Sequence, residues 1–164
     1  MPFRRIIYQS QNPAGQSQPF PRGLRSHGPC LPIQIEIHPT LATQLQQTSQ
    51  AVPNPVSGMA LIDTGASISG VDQTVLGQLG VNPVGMIDVG TANGVVQQAL
   101  YPARFIFPGA PVLSFNFDAV IGVNLSGQTP RGSAAGLIAL LGRDILEGVL
   151  MIYDGPSGSV ILSY

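Results

Sequence analysis

The sequence contains no lysine, a single cysteine and few charged residues. Each of these scarcities excludes a kind of partner or bond. The seven arginines are scattered and the net charge is −1, so nothing predicts binding to nucleic acid. Cys30 stands alone, which rules out a disulfide within the chain. Charged residues make up 9% of the chain and hydrophobic residues 44%. Much apolar surface must therefore be hidden, either in a core or against a partner.

No apolar run is long enough for a signal peptide or a membrane span. The run at residues 6–8, which follows Arg4 and Arg5, is far shorter than a signal-peptide core. The longest later run, at residues 137–141, cannot cross a bilayer. We therefore expect a soluble protein without a membrane partner, located in the cytoplasm.

The histidines and the cysteine do not form a reactive or metal-binding pattern. His27 and His38 have neither a pair of cysteines nor an HExxH spacing around them, so no metal site is predicted. A lone cysteine such as Cys30 is most often a small apolar filler. We expect neither a metal centre nor a cysteine nucleophile.

The composition predicts one β-rich domain that follows a flexible tail. A length of 164 residues suits one domain with a usable core, and it is too short for two. The 20 glycines and 15 prolines imply many turns, which suits an all-β domain better than a helix bundle. Residues 1–28 are rich in Gln, Pro, Ser, Gly and Arg without apolar periodicity, the composition of a flexible tail. We expect the folded domain to comprise residues 29–164.

Periodicity predicts many short strands and two short helices. Residues 31–38 alternate apolar and polar side chains, as a half-buried strand does, and residues 40–55 resemble a long connection. Asn93-Gly94 is a hairpin signal between two β-like stretches. Helices are predicted at 71–79, with Asp72 as N-cap and Gly80 as stop, and at 143–147. The predicted strands are 31–38, 58–62, 86–91, 95–107, 112–123, 137–141, 149–153 and 159–164.

The most informative segment is residues 61–67, with the sequence Leu-Ile-Asp-Thr-Gly-Ala-Ser. Asp63 follows a short apolar strand, where a carboxylate is costly to bury unless it is hydrogen-bonded or paired. Gly65 allows another group to approach closely, and its amide can donate to the carboxylate. Thr64 supplies a hydroxyl that can lock the turn. The segment is therefore suited to holding one carboxylate rigidly at a surface or an interface.

One carboxylate alone does not hydrolyse a peptide by acid–base chemistry of this kind. Two carboxylates about 3 Å apart cannot both ionise, so one acts as base on a water while the other polarises or protonates the carbonyl. The chain has one such motif, because the similar stretch at 86–90 has Val89 where a threonine would stand. We treat Asp88 there as an ordinary strand residue. A second chain related by two-fold symmetry would supply the missing carboxylate.

A second motif turns this pattern into a family resemblance. Residues 140–146 read Leu-Leu-Gly-Arg-Asp-Ile-Leu, two apolar residues and a glycine that lead into a helix beginning Arg-Asp. The run Ala-Leu-Ile-Asp-Thr-Gly-Ala-Ser at 60–67 resembles the active-site signature of retropepsin-like aspartic proteases. The second motif resembles the strand and helix that buttress the catalytic loop in that family. The resemblance covers residues 30–164, and it is closer to cellular or bacterial members than to viral ones.

The resemblance implies a mainly β, closed acid-protease barrel with one or two short helices, active as a homodimer on peptide or protein substrates. Asp63 would be the catalytic residue, and no metal or organic cofactor would be needed. The closing strand, 159–164, could join a sheet between subunits. Support of the active site would fall to Thr64, Gly65, Ala66, Gly142 and Arg143, and the flap over the substrate to Ala92, Asn93 and Gly94.

Departures from the family pattern leave alternatives open. Ser67 stands where many retroviral members have an acidic residue, which leaves the partner of Arg143 open. The main alternative function is a non-catalytic peptide-binding or assembly module with the same fold, and a further one is a monomer that holds only half a site. The presence of Asp63, Thr64 and Gly65 together argues against the binding module, because a binding groove has no need of a strained carboxylate pair.

Overall fold

The computed structural model describes residues 3–91, 94–110, 113–130 and 133–164. The described strands are β1 (Phe3–Ile7), β2 (Gln9–Gln11), β3 (Ser17–Pro19), β4 (Cys30–Glu36), β5 (Val56–Ile62), β6 (Gly70–Asp72), β7 (Gly85–Thr91), β8 (Gly94–Ile106), β9 (Ser114–Val123), β10 (Leu137–Leu141), β11 (Leu150–Asp154) and β12 (Ser159–Ser163). The described helices are α1 (Pro21–His27), α2 (Pro39–Gln47), α3 (Gln73–Gln78) and α4 (Arg143–Leu146). The mainly β class that the composition predicted is confirmed.

Seven of the strands form one sheet in the order β4-β5-β10-β6-β9-β8-β7. The pairs β5–β10 and β6–β9 are parallel, and the other neighbours are antiparallel. β4 also pairs with β8, so the pairings from β4 round to β8 close on themselves. Because β5 and β10 are parallel neighbours, the residues that follow these two strands meet at the same edge of the sheet.

The core is built from the alternating faces of these strands. In β4 the side chains of Leu31, Ile33 and Ile35 are buried while those between them are not, which confirms the alternation seen in the sequence. Phe105 of β8 is fully buried and meets Phe117 of β9 edge to face, with 5.3 Å between the ring centroids. Apolar side chains of β4, β8 and β9 thus pack into one core.

Two of the helices were predicted and two were not. α3 and α4 lie within the predicted stretches, and the Asp72 side chain caps α3 by accepting a hydrogen bond from the Thr74 N–H at 2.8 Å. Gly80, with a φ of +66°, lies just beyond α3 as expected. The expectation of one or two short helices is wrong, because α1 and α2 bring the number among the described residues to four.

α2 lies where the sequence predicted a long connection. It begins at Pro39, a favoured first residue, and the His38 side chain caps it by accepting from the Thr40 N–H at 3.3 Å. Leu41 and Leu45 pack against the core, but most of the other positions are Gln or Thr, so the apolar face is weak in the sequence. No helix in the described parts of the chain is long and apolar enough to cross a membrane.

The N-terminal segment, for which the composition predicted a flexible tail, carries β1, β2, β3 and α1. β1 pairs along its whole length with β12, from Phe3 opposite Ser163 to Ile7 opposite Ser159. Secondary structure is therefore present well before Cys30. Local composition does not reveal β1, because its partner strand is remote in the sequence. The division of the chain at residue 28 into tail and domain stays a prediction.

Side-chain contacts attach this segment to the rest of the chain. Leu24 of α1 is 1% exposed and belongs to the core. The Tyr8 hydroxyl donates to the Gly28 carbonyl at 2.6 Å. A Cβ on Gly158, in the turn between β11 and β12, would overlap the Cα of Pro21. α1 therefore packs directly on that turn, and only glycine allows the approach.

β1, β12 and β11 form a separate sheet in that order. β12 is the closing strand that the resemblance offered for a sheet between subunits. It has β1 on one edge and β11 on the other, so both of its edges are occupied within the chain. The edge strands of this sheet are β1 and β11.

Candidate active site

Asp63 is the first residue after β5, at the sheet edge where β5 and its parallel neighbour β10 both end. Its backbone N–H donates to the carbonyl of Leu141, the last residue of β10, at 2.9 Å. Ile62 before it is buried, whereas Asp63 is half-buried and Thr64 is exposed. The carboxyl group is therefore carried by an anchored strand end and stands at the surface, not in the core.

The tight turn after Asp63 fixes the direction of its carboxylate. The Gly65 N–H donates to the Asp63 Oδ1 at 2.9 Å, and the Ala66 N–H donates to the Asp63 carbonyl at 3.1 Å. A Cβ on Gly65 would lie 3.1 Å from the same Oδ1, tighter than most real contacts. Glycine at this position thus lets the backbone amide reach the carboxylate without a side chain in between.

Helix α4 holds the turn from the other side. The Arg143 backbone N–H donates to the Ala66 carbonyl at 3.0 Å. The Arg143 Nη1 donates to the carbonyls of Thr64 at 2.8 Å and Gly65 at 3.2 Å. A Cβ on Gly142 would lie 2.8 Å from the carbonyl carbon of Ile68, so this glycine allows the close approach.

A buried polar contact that the sequence did not indicate completes this bracing. Ser69 is fully buried, and it donates to the Asp144 carboxylate twice, from its N–H at 2.8 Å and from its hydroxyl at 2.6 Å. The Ser69 hydroxyl accepts from the Gly142 N–H at 3.0 Å, and the Ile145 N–H donates to Asp144 at 2.9 Å. Ser69 was not singled out in the sequence. No local signal links them, because 75 residues separate the two in sequence.

Arg143 bonds to backbone carbonyls and makes no ion pair with a carboxylate of the described residues. The sequence left its partner open, because Ser67 stands where an acidic residue is common. Ser67 lines an open surface groove together with Thr64, Arg143, Glu147 and Met151. This groove runs from the Asp63 turn past α4 to β11.

The structure brings five of the expected site residues together around this turn: Asp63, Thr64, Gly65, Gly142 and Arg143, with Ala66 joined to them through its carbonyl. The predicted hairpin is present, since β7 and β8 pair from Gly85–Leu100 to Thr91–Gly94. Ala92 and Asn93 at its tip lie outside the described residues, whereas Gly94 lies within them. The roles that the resemblance implies for all of these residues stay predictions.

Two other carboxylates, those of Asp88 and Asp118, lie on strands β7 and β9. Asp88 lies in β7 opposite Gln97, as an ordinary strand residue. Asp118 is fully exposed in β9 and lies 3.7 Å from the His38 Nε2. No group of three or more His, Cys, Asp or Glu side chains that could hold a metal ion occurs in the described part of the chain. Within these residues, the turn presents a single, oriented carboxylate at the surface.

Comparison with known proteins finds similarity among solved structures. No family model matches the chain, and no curated protein matches it. Among solved structures it is similar to a retropepsin-like aspartic protease from Rickettsia conorii, at 19% identity over 99% of this chain and 92% of that one, with a TM-score of 0.43. That protein is a member of the family that the two sequence motifs resemble.

Proposed function

We propose that the chain is one subunit of a homodimeric aspartic endopeptidase in which Asp63 of each copy forms half of the catalytic pair. The observation that carries this proposal is the oriented carboxylate of Asp63. It stands at the surface, with an amide donor on Oδ1 at 2.9 Å and backbone anchors to β10 and α4. A carboxylate with a purely structural role would not need to be both braced and exposed.

The chemistry follows from bringing two such carboxylates together. At a separation of about 3 Å the pair holds one proton between them, because both cannot be ionised. The ionised member takes a proton from a water molecule as its oxygen attacks the peptide carbonyl carbon, while the protonated member donates to the carbonyl oxygen. Collapse of the tetrahedral intermediate breaks the C–N bond, and the departing nitrogen takes up a proton. The titration then belongs to the pair and not to either residue.

The rest of the fold has parts suited to this reaction. The closed run of pairings from β4 to β8 forms the barrel in our proposal, and it carries the β7–β8 hairpin as the flap. An extended peptide between flap and catalytic pair would present its main chain to strand edges. Closure of the flap would exclude water other than the attacking molecule.

The test is cleavage of a mixed peptide library by the wild type and by Asp63→Asn between about pH 4 and 7, where a coupled carboxylate pair can share a proton. We expect the wild type to cut and the variant to lose about a thousandfold in kcat/KM or more, since an amide cannot act as the base. Asp118→Asn is the matched control, because it removes a fully exposed carboxylate from β9, outside the hairpin, and it should cut as the wild type does.

One combination of results would contradict the proposal. If wild type and Asp63→Asn both form dimers and neither cuts any peptide across this pH range, the endopeptidase proposal is wrong. Peptide binding that survives Asp63→Ala would then favour the non-catalytic binding module instead.

A further inference from the structure

Arg143 carries a positive charge beside the Asp63 turn that no carboxylate of the chain neutralises. The sequence has eight acidic side chains, and all of them lie within the described residues. None of them forms an ion pair with Arg143. The charge is therefore free to bind an anionic group from another molecule.

The guanidinium of Arg143 is held so that one of its edges is open. Nη1 makes both of its bonds to the turn, to the carbonyls of Thr64 at 2.8 Å and Gly65 at 3.2 Å. No hydrogen bond joins Nε or Nη2 to another of the described residues. These two nitrogens form an edge that binds a carboxylate through two parallel hydrogen bonds. Because the side chain is exposed and lines the surface groove, this edge is accessible.

The side chains around this edge do not supply an acidic partner. Ser67 lines the groove with Arg143, and it is exposed and uncharged. Asp144 also lines the groove, but its carboxylate is bound to Ser69. Glu147 is exposed just beyond the end of α4. An exposed pair at this spacing contributes little, and forming it would draw the guanidinium away from the turn.

Arg143 lies close to the path that a bound substrate would follow. Its acceptors, Thr64 and Gly65, are the first and second residues after Asp63, and its backbone N–H donates to the Ala66 carbonyl at 3.0 Å. A peptide whose scissile bond lies at Asp63 therefore passes beside this turn. Because an extended peptide advances about 3.3 Å per residue, a side chain two or three residues from the scissile bond would reach the guanidinium.

We propose that Arg143 makes the site selective for peptides with an aspartate or a glutamate two or three residues from the scissile bond. The substrate carboxylate binds the Nε–Nη2 edge, while Nη1 keeps its bonds to the turn. This inference rests on the proposed function and specifies the substrate class of that site. Because two-fold symmetry places one Arg143 on each side of the catalytic pair, the acidic residue is favoured on either side of the scissile bond.

The test compares glutamate with glutamine in otherwise identical peptides. A peptide that the wild type cuts is made with Glu or Gln at each position from the third before to the third after the scissile bond, and kcat/KM is measured. We expect Glu to be preferred by at least about fivefold at one or more positions, and the preference to fall as salt is added. Any effect of a variant on the rate for all peptides cancels in this ratio.

Ser67 offers a matched pair of variants for this test. Ser67→Asp places a carboxylate beside the guanidinium, so the preference for Glu should be lost. Ser67→Asn adds a side chain of similar size without the charge and should keep the wild-type ratio. Arg143→Ala should also lose the preference, whatever its effect on the rate.

Two results would overturn this proposal and leave the endopeptidase standing. One is equal cleavage of the Glu and Gln peptides by the wild type at every position. The other is a preference that survives both Arg143→Ala and Ser67→Asp. If a carboxylate of a second copy occupies the guanidinium instead, the wild type would show no preference and Arg143→Ala would weaken the dimer in sedimentation.

Failure of the proposed function is seen separately. If the wild type cuts no peptide, binding is measured by fluorescence anisotropy with a labelled short peptide that carries glutamate at alternate positions, and with its glutamine counterpart. Equal affinity for the two peptides overturns the role of Arg143 as well. Tighter binding of the glutamate peptide, lost in Ser67→Asp and kept in Ser67→Asn, would support the same role for Arg143 in a non-catalytic binding module.

Discussion

The Asp63 turn and the β7–β8 hairpin are held in opposite ways. The turn is bonded from two sides, by Leu141 of β10 and by the backbone and side chain of Arg143. β7 is the last strand of its sheet, its described neighbour is β8 alone, and none of its side chains is fully buried. Val95, near the start of β8, is 73% exposed.

In a hydrolytic site, the reacting group and the cover over the substrate have different requirements. A reacting group gains from a fixed position, because its geometry need not be reorganised during the reaction. A cover over the substrate gains from weak attachment, because it must open and close. The turn is therefore held by hydrogen bonds from other elements, whereas the hairpin is held mainly by the backbone hydrogen bonds between β7 and β8.

Among these substitutions, removal of the Asp144 carboxylate should lower the stability of the protein most. In Asp144→Ala the two donors of Ser69 and the Ile145 N–H lose their acceptor, and we expect unfolding free energy to fall by about 3 kcal/mol, as measured by urea denaturation. Asp144→Asn keeps one acceptor oxygen and should lose less. Asp88→Ala, at an exposed position, should lose almost nothing. Equal stability of Asp144→Ala and Asp88→Ala would mean that this contact does not brace the turn.

Arg143→Ala should separate positioning from stability. The Thr64 and Gly65 carbonyls can be hydrated once the exposed side chain is gone, so unfolding free energy should fall by less than about 1 kcal/mol. Under the proposed function kcat should fall about tenfold or more, because the carboxylate loses its fixed direction. Arg143→Lys should recover part of the rate, since one nitrogen makes both bonds. Loss of stability without loss of rate would contradict this role.

A substitution in the β7–β8 hairpin should have the smallest effect on stability, although it should still lower activity. Val95→Ser should change unfolding free energy by less than about 0.5 kcal/mol, because the side chain is mostly solvated. If the hairpin covers substrate, kcat/KM should nevertheless fall several-fold. The same change at Val84, which is also exposed but precedes β7, should alter neither quantity. An unchanged kcat/KM in Val95→Ser would argue that the hairpin is not a flap.

Elements and contacts were predicted from the sequence when the residues that form them are close together in the chain, and missed when those residues are far apart. The strand that leads to Asp63, the β7–β8 hairpin and helix α4 were predicted because a short apolar run, a turn signal and a short motif are local. The contact between Ser69 and Asp144 was not predicted, because neither residue marks the other across 75 positions. α2 was missed because glutamine and threonine dilute its apolar face. Strand β1 was missed because its partner, β12, lies at the far end of the sequence.

The pairing of β1 with β12 also sets an order of events during synthesis. These strands are separated by roughly 150 residues, and such non-local pairs are the slow step in folding because closing the intervening loop costs entropy first. A ribosome-bound chain would have made β1 long before β12 emerged, so the apolar residues of β1 would wait in solvent. Because β12 is synthesised long after β1, its arrival completes the three-stranded sheet.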